Sequence, residues 1–265
     1  MNRAAYFIDD LGTQPASVKS AAIIADHLDA FLDVHHPWAR TENLADQPGS
    51  PTVPPENIVG SGRARARALF QEACGDHQHA RFVGIDGHLG DAIRSFGAAY
   101  DFILMDRLAE EAHGTPYAFN SALFESGAPV LIMPPTLPPH IRDRVVVIWS
   151  GTQQSGRALR AALPILEKAN EVLVLANSTN SMANPITASD YLSVHRIECK
   201  TDYFDGFGLT ARGRGRAIIQ AASNFGADML IMGAFGYNGI EDIFDLGRTT
   251  RKLITATPIP LLLQS

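Results

Sequence analysis

The hydrophobic positions along this chain come in short blocks of two kinds, and the kinds alternate. "RVVVIWS", "EVLVLAN", "DMLIMG" and "IPLLLQ" are continuous apolar runs, suited to strands covered on both faces. Between them, apolar residues recur three and four apart. "SGRALRAALPILEKA" sets Leu159, Leu163 and Leu166 at helical spacing, with Pro164 placed to kink or punctuate the helix. "GRAIIQAASNFG" predicts a helix that stops at Gly226, a good C-cap, and "RTTRKLITA" predicts another. "LSVHRIEC" (192–199) reads as a further strand. Such alternation implies parallel strands joined by right-handed crossovers. The expected unit is an α/β doubly wound domain with a five-stranded, mainly parallel sheet and helices on both faces. Ligands in such domains sit beyond the carboxyl ends of the strands, at the switch point.

The pattern occurs twice. "YFIDDLGT" (6–13) resembles "VVIWSGT" (146–152), "SFGAAYDFILM" (95–105) resembles "NFGADMLIM" (224–232), and "SGAPVLIMPP" (126–135) resembles "TATPIPLLLQS" (255–265). The three signals recur in the same order, which indicates a tandem duplication. The Pro-rich stretch "MPPTLPPHIRD" (133–143) marks the junction, giving expected domains of 1–138 and 139–265.

Composition adds limits. Of 265 residues, 46% are apolar and 19% charged, enough for two ordinary cores. No apolar run is long enough to span a bilayer, so no membrane is expected. The start "MNRAAYFIDDLGTQ" lacks the apolar stretch of a secretory signal, and the isolated Cys74 and Cys199 suit a reducing compartment. A cytoplasmic location is expected. Net charge is −6, which argues against nucleic acid as a partner. The charge is uneven: residues 1–140 carry 9 basic and 17 acidic groups, whereas 141–265 carry 13 and 11. An anion is therefore expected in the second half.

The candidate site is "IMGAFGYNGIEDIFDLGRTT" (231–250). Gly233 and Gly236 end an apolar strand; Gly247, Arg248 and Thr249 stand just before a helix. Glycine permits close approach, and unsatisfied amides at a helix N-terminus attract anions. This loop, with "GRALRAALPILEKANEVLVLAN", resembles the universal stress protein family, most closely over 144–265 and more faintly over 1–135. The resemblance implies a tandem member that binds an adenine nucleotide, commonly ATP. Gly233, Gly236, Gly247 and Thr249 would line the phosphates; Met232 and Ala176 would sit near ribose and adenine.

Three departures bear on the site. Ten residues, not nine, separate Gly236 from Gly247. Arg248 replaces the family's small residue, and either pairs with phosphate or fills its place. Ser150 stands where the family has a ribose-binding Asp. In the first half Asp9 and Asp10 occupy the ribose region, but "LMDRLAEEAHGT" replaces the glycine loop, and Asp106 would repel phosphate. That half is expected to be a structural partner with a decayed site.

Other features have plain readings. His35, His36, His77, His79, His88 and His113 match no metal-ligand spacing. "ARGRGR" (211–216) reads as a solvated loop before a helix, and "RARARALF" (63–70) as an exposed helix face. Cys74 and Cys199 read as packing residues, and Trp149 as core or crevice wall. No nucleophile–base pair has catalytic spacing, so at most slow ATP hydrolysis is expected. The favoured function is a stress-response regulator or sensor binding ATP in its second half, with an unidentified protein partner. The alternatives are an interaction module that has lost nucleotide binding, and an enzyme of the related adenine-nucleotide α-hydrolase type. The repeat predicts an intrachain pseudo-dimer, compatible with further pairing into a homodimer. The final strands, "PVLIMP" (129–134) and "PIPLLLQ" (258–264), correspond to the family's dimer-forming strand, with Pro260 expected toward an edge or bulge.

Overall fold

A computed structural model describes residues 1–8, 13–38, 56–108, 117–234 and 248–265. Its backbone divides into two compact units, one built from Met1–Met105 with Tyr117–Ala128, the other chiefly from Pro129–Ser265.

The first unit has four parallel strands: β1 (Asn2–Phe7), β2 (Ala30–Trp38), β3 (Ala80–Asp86) and β4 (Phe102–Asp106), in the order β3-β2-β1-β4. Its helices are α1 (Pro15–His27), α2 (Glu56–Cys74), α3 (Leu89–Phe96) and the short α4 (Tyr117–Asn120), which runs into a π-helical turn, Ser121–Glu125. Helix α1 begins with Pro15 at its first turn, where a missing amide costs nothing. It buries Val18, Ala21, Ala22, Ile24 and Ala25, the three-and-four spacing of one helical face. Strand β3 has a single described neighbour, and its exposure is mixed, whereas the central β1 ends in four consecutive buried residues.

The second unit contains β5 (Val130–Met133), β6 (Arg144–Trp149), β7 (Glu171–Asn177), β8 (Lys200–Phe204), β9 (Met229–Gly233) and β10 (Leu261–Gln264), in the order β5-β10-β9-β6-β7-β8. All neighbours are parallel except β5 and β10, which run antiparallel. Its helices are α5 (Gln153–Ala161), α6 (Leu163–Leu166), α7 (Pro185–Val194), α8 (Ala211–Phe225) and α9 (Arg248–Ala256). The expected doubly wound α/β class is found, and each repeat of the sequence supplies five of the described strands.

Local chemistry explains most boundaries. Pro164 separates α5 from α6. Thr152 and Thr210 cap α5 and α8, accepting from Ser155 N at 3.3 Å and Gly213 N at 3.1 Å. Gly226 closes α8 in the left-handed conformation, φ 73°.

Three expectations are corrected. Residues 192–199 are not a strand. Asn184 caps α7 through Ile186 N at 3.0 Å and Pro185 sits at its first turn, so the helix runs to Val194 and the strand begins at Lys200. Strand β8 escaped notice because four of its five residues are exposed. "ARGRGR" forms the first turns of α8 rather than a loop before it. Pro260 lies at neither an edge nor a bulge. It precedes β10, which is flanked by β5 and β9, and needs only its carbonyl, which accepts from Leu230 N at 2.9 Å.

The β5–β10 pairing apposes Leu261 with Ile132, Leu262 with Leu131 and Leu263 with Val130, all 0% exposed. Each such side chain contributes about 1.5–3 kcal/mol by leaving water.

Candidate functional site

In the second unit the strand order reverses between β6 and β9, since the chain proceeds from β6 outward through β7 to β8 and then returns to the other side of β6. This is the switch point of a doubly wound sheet. The register pairs Trp149 with Ala176 and Ile148 with Met232. Ser150, Ala176, Met232 and Gly233 therefore gather at the carboxyl ends of three adjacent strands. Gly236 and Gly247 lie outside the described residues. Arg248 opens α9, and Thr249 stands in its first turn.

Close contacts define the local roles. The Ser150 hydroxyl lies 2.9 Å from Thr152 Oγ1, the atom that caps α5. Gly151 takes φ 72°, and a Cβ there would come 2.1 Å from Met182 O, so only glycine fits the turn. Asn180 Nδ2 donates to Ser150 O at 3.3 Å. A Cβ on Gly233 would lie 2.4 Å from Ser155 N and 2.5 Å from the Gln154 carbonyl carbon. The bare side of Gly233 thus receives the first turn of α5. Ala176 and Met232 are buried, at 0% and 7% exposure. Thr249 Oγ1 donates to Ala211 O at 3.1 Å, tying the start of α9 to the start of α8. At the next helical turn Gly215 lets the two helices approach, since a Cβ there would meet Lys252 Cβ at 3.0 Å. Both N-termini, with Arg212 and Arg248 in their first turns, therefore lie side by side. Trp149, half-buried at the end of β6, has an indole Nε1 that is shut from solvent and unpartnered among the described residues.

A cavity of about 240 Å³ lies at the opposite, amino end of the strands, lined mainly by Ile219, Ala222, Leu230, Pro258 and Ile259. It offers no convergent polar chemistry and is not the candidate site.

The first unit has different contents at the matching place. Phe7 pairs with His35 in register, as Trp149 does with Ala176. The Phe7 and His35 rings stack at 4.8 Å, and Phe96 stacks on His35 from α3 at 6.2 Å. Where the second unit has a small alanine, the first has an imidazole held between aromatic rings. Asp9 and Asp10 lie outside the described residues; Asp106 ends β4.

Below this stack lies a cluster that sequence reasoning missed. Asp33, 0% exposed, accepts from Arg3 at 2.6 Å, from Arg81 at 2.5 and 3.0 Å, and from Tyr100 Oη at 2.8 Å. His35 Nε2 lies 2.6 Å from the same Tyr100 oxygen. Burial raises the Asp33 pKa, but the hydrogen bonds from Arg81, Arg3 and Tyr100 outweigh it, and the carboxyl is held below its ordinary range. Burial, with the bond to Asp33, pushes the Tyr100 phenol well up. The signal was present as an Asp inside the apolar strand "FLDVHHP", with one arginine on each flanking strand. Among the described residues no group of His, Cys, Asp and Glu could hold a metal ion, and no helix is long and apolar enough to cross a membrane.

Comparison with known proteins places this arrangement. Residues 211–264 match the sequence profile of the universal stress protein family. The fold is similar to that of a universal stress protein from Archaeoglobus fulgidus DSM 4304, at TM-score 0.73 and 16% identity, covering 99% of this chain and 98% of that one. A putative universal stress protein from Pseudomonas aeruginosa UCBPP-PA14 gives TM-score 0.57 and 13% identity, over 99% and 93% of the two chains. A search of curated protein sequences finds no significant match.

Proposed function

We infer that this chain is a universal stress protein of the tandem type, since residues 211–264 match that family's profile and its whole length shares the fold of one such protein, and that its second unit binds an adenine nucleotide and serves as a sensor in a stress response. The observation that carries the reading is the strand reversal between β6 and β9. Ser150 and Gly233 stand beyond the carboxyl ends of these strands, and the N-termini of α8 and α9 lie side by side. Anions are stabilised at such termini by free amides and by the helix dipole. In this reading Gly236 and Gly247 give the phosphates access to backbone amides. The first unit has no such role, because Phe7 and His35 fill the matching place.

One observation favours a second reading, an interaction module without nucleotide. Gly233 meets α5 rather than open space, and the Ser150 hydroxyl is engaged with Thr152. Mass spectrometry of the gently purified protein, followed by calorimetric titration of the nucleotide-free chain with ATP, separates the two. Copurifying adenine nucleotide and saturable binding support the sensor. Absence of both supports the interaction module.

A further inference from the structure

We propose that the buried His35–Tyr100–Asp33 cluster makes the first unit acid-labile: when His35 takes up a proton, the first unit opens more readily while the second unit keeps its packing.

The geometry fixes the state of the imidazole. Tyr100 Oη spends its hydrogen on Asp33, so it can only accept from His35, and Nε2 must carry the ring hydrogen. The lone pair is then on Nδ1, which is shut from solvent and has no partner among the described residues. A proton added there creates a cationic donor that faces no acceptor among the described residues, on a side chain only 3% exposed. The rings of Phe7 and Phe96 both stack on the imidazole.

The charged surroundings point the same way. Among the described residues, the groups that face His35 are Asp33 on its own strand, Arg3 from β1, Arg81 from β3 and the Tyr100 phenol, and α3 contributes Phe96. One carboxylate already serves two guanidinium groups, so an imidazolium would be a third cation on a single anion. Burial foremost, with Arg81 and Arg3 adding to it and Asp33 opposing, takes the His35 pKa from 6.5 down to about 4.

Because the folded value lies below the unfolded one, the opened form takes the proton first. The stability of the first unit is full above about pH 6.5 and falls as pH drops toward 4, by roughly 100-fold in its opening equilibrium at pH 4. Asp33 adds to the loss only below its ordinary value of 3.8. In the second unit the buried carboxyl of Asp228, which accepts from the amides of Asp143 and Arg144, responds oppositely. Burial pushes its pKa up despite those bonds, so acid favours its folded form.

Hydrogen exchange by mass spectrometry on the full chain from pH 7.5 to 4, corrected for intrinsic rates, tests the proposal. Peptides from β1, β2 and α3 are expected to lose protection roughly 100-fold between pH 6.5 and 4, while those from β6, β7 and β9 keep theirs. His35→Phe preserves the ring stack and removes the titrating group, and should flatten the response of the first unit. Equal loss in both units, or an unchanged response in His35→Phe, overturns the idea. If that variant does not fold, nitrogen chemical shifts of the native imidazole decide. A neutral Nε2–H form persisting to pH 5 supports the proposal, and titration near 6.5 in the folded chain refutes it.

Discussion

The two units fill the same place in the same fold with different side chains. At the carboxyl ends of the first two strands, the second unit sets Trp149, whose indole Nε1 is unpartnered among the described residues, beside Ala176. The first unit sets Phe7 beside His35 and closes the place with stacked rings. One pair of positions thus differs between an indole beside a methyl group and a phenyl ring stacked on an imidazole. The first unit then carries a buried ionic cluster beneath it, where the position of the second unit that matches Asp33 is the buried Val174. A fold duplicated within one chain can therefore keep its backbone plan while exchanging the side chains at its strand ends.

The comparison breaks most readily at Asp33. Asp33→Ala leaves two guanidinium groups and a phenol without their acceptor. Because Arg3 and Arg81 are about half exposed and regain water, the loss is about 3 kcal/mol rather than more. Exchange protection should fall in the first unit and hold in the second; a uniform fall would mean the units are not energetically distinct. On the other side, Gly236→Val should weaken ATP binding on the order of 100-fold with little change in stability, since a β-branched residue opposes both positive φ and close backbone approach. Undiminished affinity by calorimetry would remove the glycine loop from the site. Gly233→Ala sharpens the question of what that glycine does. Its Cβ would strike the α5 backbone, so about 2 kcal/mol of second-unit stability should be lost even without nucleotide, as read by thermal unfolding.

Smaller effects follow. Thr152→Ala removes the α5 cap, costing about 1 kcal/mol, and frees the Ser150 hydroxyl. A matching gain in ATP affinity would show that the cap competes with the ligand. Arg248→Ser has the smallest expected effect, about a few-fold, but its sign is informative. Weaker binding means that Arg248 pairs with phosphate, and stronger binding means that it obstructs.

The sequence disclosed the fold well because fully covered parallel strands are plain apolar runs. Residues 145–148 and 230–232 could hardly be read otherwise. It misled where local chemistry outweighed pattern. The Asn184–Pro185 start of α7 carried the helix through residues that look like a strand, and the exposed edge β8 had no apolar run to announce it. Of the candidate site, Ser150, Ala176, Met232 and Gly233 were found at the expected strand ends. The roles of Gly151 and Thr152 were not read, because a glycine's φ and a threonine's bonding partner depend on the turn around them. The Asp33 cluster was missed for a related reason. Its partners Arg3, Arg81 and Tyr100 lie 30 to 67 residues from Asp33, so the lone Asp in an apolar strand hints at a partner without saying which residues supply it.

The antiparallel pairing of β5 with β10 has a consequence in time as well as in space. Val130–Met133 is made long before Leu261–Gln264, and the registered partners Leu131 and Leu262 are more than a hundred residues apart. At about 5–20 residues per second, the β10-facing side of β5 waits roughly ten seconds on the ribosome for its complement. During that interval four consecutive apolar residues present an open ladder, the kind of edge that captures a neighbouring nascent chain. Flanking prolines at Pro129, Pro134 and Pro135, which cannot extend a ladder, keep that exposed stretch short.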